Sequence, residues 1–251
     1  MLVPLLLAAS LAAPLAVPLA AATSSTATVL ANRTAFNKPC VEFTSTAPDR
    51  LAAQASSALR ALGWSVDQTV GPQFNQREAL REIAPAGAIY VHSHGDHYVD
   101  VVSGRRSSGF RVDGGLCSNA PTVIAPEISV VRPGGAPMIL AVISTCHNGE
   151  RASKLPAAFG IAMKRVAPGT PGPRSFYLGY AGIAWVRGIV RFEERFWRGL
   201  RRGLSAGAAF DQGLLSGFAP DDLSPEWWGN YNLIPTAPSR SPLPFGGPRY
   251  V

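Results

Sequence analysis

GAIYVHSHGDHY (residues 87–98) and APMILAVISTCHNGE (136–150) decide how this chain reads. Each contains a short apolar run, bounded by Gly or Pro and rich in Ile and Val. Runs of that kind are strands buried on both faces, as in parallel sheets. Each run then breaks into residues that carry chemistry. The first ends in His92, His94, Asp96 and His97, the second in Cys146 and His147. In α/β proteins, function gathers where strands end and helices begin.

The flanking sequence supplies the helices. PDRLAAQASSALRALG (48–63) places Leu51, Ala55, Leu59 and Leu62 on one face, with Asp49 as a cap and Gly63 as a stop. WSVDQTV (64–70) alternates like a strand, and FNQREALREIA (74–84) reads as a second helix ending at Pro85. Residues 98–112 read as a hairpin turning at SGRRSSG, and 150–163 as mostly helical. SFYLGYAGIAWV (175–186) is another buried strand, followed by helices over 188–203 and 205–217 with Ser205 as a cap. This order predicts an α/β domain over residues 45–218, with a mainly parallel sheet sandwiched by helices. Residues 23–44 read as an irregular N-terminal segment. Residues 219–251 read as a Pro-rich C-terminal tail, with Trp227 and Trp228 docked on the core.

Residues 1–22 carry no charge and end in small residues, as in a secretory signal peptide cleaved near Ala22–Thr23. Retention of that segment as a membrane anchor is the alternative. The chain is therefore expected to be secreted. Its three cysteines leave one thiol over if two of them pair. Cys40 and Cys117 lie in loop-like contexts and form the expected disulfide, which leaves Cys146 free. The net charge of +7 favours association with anionic cell envelopes. The basic residues are scattered, and their densest group, RFEERFWRGLRRG (191–203), is broken by glutamates and aromatics. That argues against a specific nucleic-acid face and for the solvated side of a helix.

Two chemistries compete for the histidines. HSHGDH fits H-x-H-x-D-H, and so resembles the zinc-binding segment of the metallo-β-lactamase superfamily. That resemblance implies a strand-rich segment ahead of it and further histidines downstream. Here a helix precedes it, and only His147 remains of the chain's four histidines. The second chemistry pairs the two strand ends. His94 and Cys146 are 146 − 94 = 52 residues apart, so their strands can be neighbours. A following helix N-terminus would lower the thiol pKa. His94 would deprotonate the thiol or hold it in an ion pair, and the N–H groups of Gly95 and Cys146 would face a developing oxyanion.

Here the sequence resembles the caspase-like cysteine peptidases of clan CD, in their CHAT and gingipain-like branch. Their dyad histidine lies in an apolar-strand–His-Gly motif, matched by AIYVHSHG with His94 and Gly95. Their nucleophile lies in an apolar-strand–x-x-Cys-x-x-Gly motif, matched by LAVISTCHNG with Cys146 and Gly149. The resemblance implies a caspase-like domain, a peptide or protein substrate, no cofactor and no metal. It also implies a charged or polar residue that selects the substrate side chain. Asp96 and Asp113 are candidates, and either would favour a basic side chain. A non-catalytic caspase-like binding protein and a metallo-hydrolase remain as alternatives.

Overall fold

The computed structural model describes residues 24–35, 41–42, 46–71, 74–112, 121–134 and 137–239. The expected leader, Cys40, Cys117 and Asp113 lie outside the described residues. Strands β1 (Thr26–Ala31), β4 (Ser65–Val70), β5 (Ala88–His92), β9 (Leu140–Ser144), β10 (Arg165–Val166), β11 (Phe176–Tyr180) and β12 (Pro225–Asn230) form one seven-stranded sheet. Their order across it is β10-β12-β11-β9-β5-β1-β4. All neighbours run parallel except β11 and β12. Two short strands, β2 (Thr34–Ala35) and β3 (Val41–Glu42), pair with each other. A separate antiparallel sheet joins β6 (Gly95–Val99), β7 (Arg106–Arg111) and β8 (Thr122–Ile124).

Helices cover both faces, which is why the central strands are apolar at every position. On β5, Ala88 and Tyr90 enter one core while Ile89 and Val91 enter the other. On β9, Leu140 and Val142 divide from Ala141 and Ile143 in the same way. Helices α1 (Ala47–Ala61), α5 (Val186–Arg201) and α6 (Ala206–Leu214) pack on the first face. Helices α2 (Gln76–Ile83), α3 (Ala125–Val131) and α4 (Leu155–Ala158) pack on the second. The capping chemistry is local. Asn75 accepts from the N–H of Glu78 to start α2, and Ser205 accepts from Ala208 to start α6.

Three expectations need correction. The sheet extends beyond 45–218 at both ends. β1 lies in the segment read as irregular and sits between β5 and β4, and β12 lies in the stretch read as a tail. Trp228 of β12 is buried and Trp227 stacks on Phe176, so both tryptophans do dock on the core. The helix expected over 150–163 shrinks to Leu155–Ala158. Gly160, at φ +71°, and the turns before Leu155 bound it. The run 191–203 is not simply a solvated face, because Phe192, Glu193, Phe196 and Trp197 are buried.

The chain runs from β1 to one side of the sheet and then from β5 to the other. This reversal is the position where open α/β sheets present a crevice at their strand ends. His94 and Cys146 follow the strands beside it.

Candidate active site

The parallel register of β5 and β9 positions the two candidate residues. Ala88 faces Leu140, and each later pair keeps the same spacing, ending with His92 opposite Ser144. His92 and Ser144 are 144 − 92 = 52 residues apart, as are His94 and Cys146. The dyad candidates therefore each follow the last register pair by two residues, and both line one cavity of about 60 Å³. The strand ends are tied below them, where His92 Nδ1 and Ser144 Oγ lie 3.1 Å apart.

Around the sulfur, the backbone is arranged for an anion. Ala184 N–H donates to Cys146 Sγ at 3.3 Å, and the N–H groups of Gly95 and of Cys146 itself also favour the thiolate. Gly95 is required by space. A Cβ there would overlap the Cys146 carbonyl oxygen and stand 2.7 Å from Thr145 Oγ1. The turn after Cys146 is held to β11 and its following loop. His147 N–H donates to Gly182 O at 2.9 Å, Gly149 N–H to Tyr180 O at 2.8 Å, and Tyr177 Oη to Asn148 O at 2.7 Å. His147 has φ 59°, the one positive value among described non-glycine residues. The strain of that conformation is held by these bonds.

Burial still sets the protonation states. It pushes the Cys146 thiol above its ordinary value. The Ala184 N–H opposes that shift, and the Asp96 charge adds to it. Burial also lowers His94 to about 4, with smaller contributions from His92 and Arg111. The resting pair is therefore a neutral thiol beside a neutral imidazole, and Cys146 Sγ contacts the Ala184 carbonyl at 3.9 Å. This corrects the expectation of a thiol acidified by a helix N-terminus. Turns follow Cys146, and the short α4 begins only at Leu155.

The other sequence candidates separate. His92 is buried in the sheet, and burial lowers it to about 4. His97 Nε2 lies 3.1 Å from Glu150 Oε2, and His147 Nδ1 lies 2.7 Å from Glu150 Oε1. Gly182 N–H also donates to Glu150 at 3.1 Å. Burial would raise the Glu150 carboxyl, but its bonds to His147 and His97 hold it below the usual range. The histidines of HSHGDH thus point to three different partners: Ser144 within the sheet, the thiol cavity, and Glu150. Asp96 lies on β6, accepts from the N–H of His97 and stands outside the residues lining the cavity.

Sequence reasoning missed Ala184, Glu150 and Glu193. Ala184 acts through its backbone, which leaves no sequence signal. Glu150 follows the nucleophile motif directly and was legible only as a charge. Glu193 of α5 is buried, and the hydroxyls of Tyr90 and Tyr180 each donate to it at 2.8 Å.

No protein-family model matches the chain, and no curated protein matches its sequence. Solved structures do match its fold. The Arg-specific cysteine proteinase gingipain R superposes with a TM-score of 0.51 at 12% identity, over 84% of this chain and 47% of that one. Caspase-1 from Spodoptera frugiperda gives 0.50 at 12% identity, over 87% and 93%. The fold is caspase-like. Protein GSU0716 from Geobacter sulfurreducens also shares it, with a TM-score of 0.50 at 12% identity over 82% and 92%. In this domain His94 and Cys146 follow the adjacent strands β5 and β9 and line one cavity.

Proposed function

We propose that this chain is an exported cysteine peptidase of the CHAT and gingipain-like branch that uses a His94–Cys146 dyad without a cofactor. The supporting observation is that His94 and Cys146, which follow the paired strands β5 and β9, line one cavity. In this reading, Cys146 Sγ attacks a peptide carbonyl carbon while His94 takes the thiol proton. The N–H groups of Gly95 and Cys146 receive the oxyanion. The tetrahedral adduct collapses to a thioester as His94 protonates the departing amine. Water, deprotonated by His94, then attacks the thioester and releases the acid and the thiol. Ile183 and Trp185 flank Ala184 and are 59% and 55% exposed, which suits an apolar stretch of peptide lying past the thiol.

One observation favours a second reading. The thiol is raised rather than activated, as in a caspase-like protein that binds peptides without cleaving them. Incubating the full chain with a peptide library and reading new termini by mass spectrometry separates the two. Cleavage lost in both Cys146→Ala and His94→Ala supports the peptidase. Cleavage that persists in Cys146→Ala, or none in the wild type, refutes it.

A further inference from the structure

We infer that the cavity shared by His94 and Cys146 admits only a small, uncharged side chain next to the scissile carbonyl, the class of Gly, Ala or Ser. This deepens the peptidase reading and rests on it. In a thioester at Cys146, the α-carbon of the acyl residue lies two bonds from the sulfur. Its side chain must therefore enter space adjoining the thiol. Among the described residues, the cavity lined by both dyad members measures about 60 Å³. A cavity near 150 Å³ is what holds a benzene ring, so an aromatic or a branched leucyl side chain exceeds this one.

The lining also argues against charge. Pro48, Ala184, Val186 and Ile189 supply apolar surface, and Asn32 and Ser93 supply neutral polar groups. Among the described residues, no Asp, Glu, Lys or Arg lines it. Arg33 and Asp49, each next in sequence to a lining residue, are paired with each other. Asp96 and Arg111 influence the dyad electrostatically but stand outside the lining. A carboxylate or guanidinium buried here would lose its hydration with no opposite charge among the described lining residues to pair with it. The neutral polar groups can serve a hydroxymethyl side chain. This lining gives no support to charged selection by Asp96, and Asp113 lies outside the described residues.

Peptidyl acyloxymethyl ketones test this, because they alkylate a peptidase thiol without requiring turnover. Four probes would share one backbone and carry Ala, Phe, Asp or Arg at the position nearest the ketone. Labelling of Cys146 in the full chain would be timed by intact mass and located by peptide mapping. The Ala probe is expected to label at least about tenfold faster than each of the others, the scale by which pockets discriminate on size. Ile189→Ala, which enlarges the cavity, should narrow the gap for Phe and leave Asp and Arg slow. Should Ile189→Ala fail to fold, the wild-type series alone decides. Equal or faster labelling by Phe, Asp or Arg overturns the inference while leaving a peptidase. If no peptidyl ketone labels Cys146 but iodoacetamide does, the peptidase reading falls and takes the inference with it.

Discussion

The protonation states make the thiol's reactivity a sharp test. Burial holds Cys146 above its ordinary value of 9.0, and His94 is lowered to about 4. Near neutral pH the thiolate is therefore scarce, and the imidazole beside it carries no charge to stabilise it. Alkylation by iodoacetamide, which reads thiolate alone, should rise about tenfold per pH unit between about pH 6.5 and about 8.5. His94→Ala should change that rate by less than about threefold, because a neutral ring offers the thiolate no opposite charge. The same variant should cost a peptide substrate roughly 10²- to 10⁴-fold, because it removes the base that accepts the proton during attack. The assay is the initial rate of carbamidomethylation at Cys146, followed by peptide mass spectrometry across the pH series in both proteins. A rate that is flat from about pH 6 upward, and that collapses in His94→Ala, would reveal a standing thiolate–imidazolium pair. It would refute the argument from burial.

Three further outcomes follow from the packing. Gly95→Ala forces a Cβ against the Cys146 carbonyl and within 2.7 Å of Thr145 Oγ1. It should lower kcat by about 10²- to 10³-fold, the scale of losing one oxyanion donor, with the circular-dichroism spectrum retained; an unchanged kcat would remove Gly95 from the oxyanion role. Glu193→Ala orphans two buried tyrosine hydroxyls and should cost roughly 2–5 kcal/mol in urea unfolding. Burial raises the Glu193 carboxyl, so its favourable contribution is present below its unfolded value of 4.5 and is lost as pH rises through the folded value. Glu193→Gln should therefore gain on the wild type as pH climbs through that window. A constant difference between the two would show that Glu193 keeps one charge state throughout.

The parts of the fold that were legible are those where one residue type dominates. AIYVH and LAVIS are apolar at every position because both faces of β5 and β9 are covered, and their chemistry-bearing ends followed directly. β1 was not legible. Its TATVLA is built of small residues, and Thr28 is buried because its hydroxyl donates to Glu82 O, a partner that only the tertiary fold supplies. β12 was hidden by its neighbours, since two tryptophans among Pro and Gly read as a docked tail. In the site, His94 and Cys146 could be named from motif and order, but their protonation could not. Depth of burial sets it, and burial depends on the packing of α1, α5 and the loop around Ala184, which lie far away in sequence. The charged run around Glu193 misled for the same reason, because composition cannot say which acid of RFEERF turns inward.

In the proposed peptidase, the buried groups beneath His94 and Cys146 explain why the base can remain available. His92 ends β5 two residues before His94, is bonded to Ser144, and is lowered by burial to about 4. Were His92 charged at neutral pH, its repulsion would add to the burial already depressing His94. The acid would also have to find a counter-charge within the sheet. A neutral His92 instead serves as a bridge between the ends of β5 and β9. His94 then stays in its proton-accepting form at any pH above about 4, so the dyad's acidic limit should be set by fold stability as much as by its base. On the alkaline side, the thiol need not ionise in advance. The three N–H groups around Sγ already favour the anion, so the proton can leave during attack, when the sulfur's charge passes to the carbonyl oxygen and the N–H groups of Gly95 and Cys146 receive it.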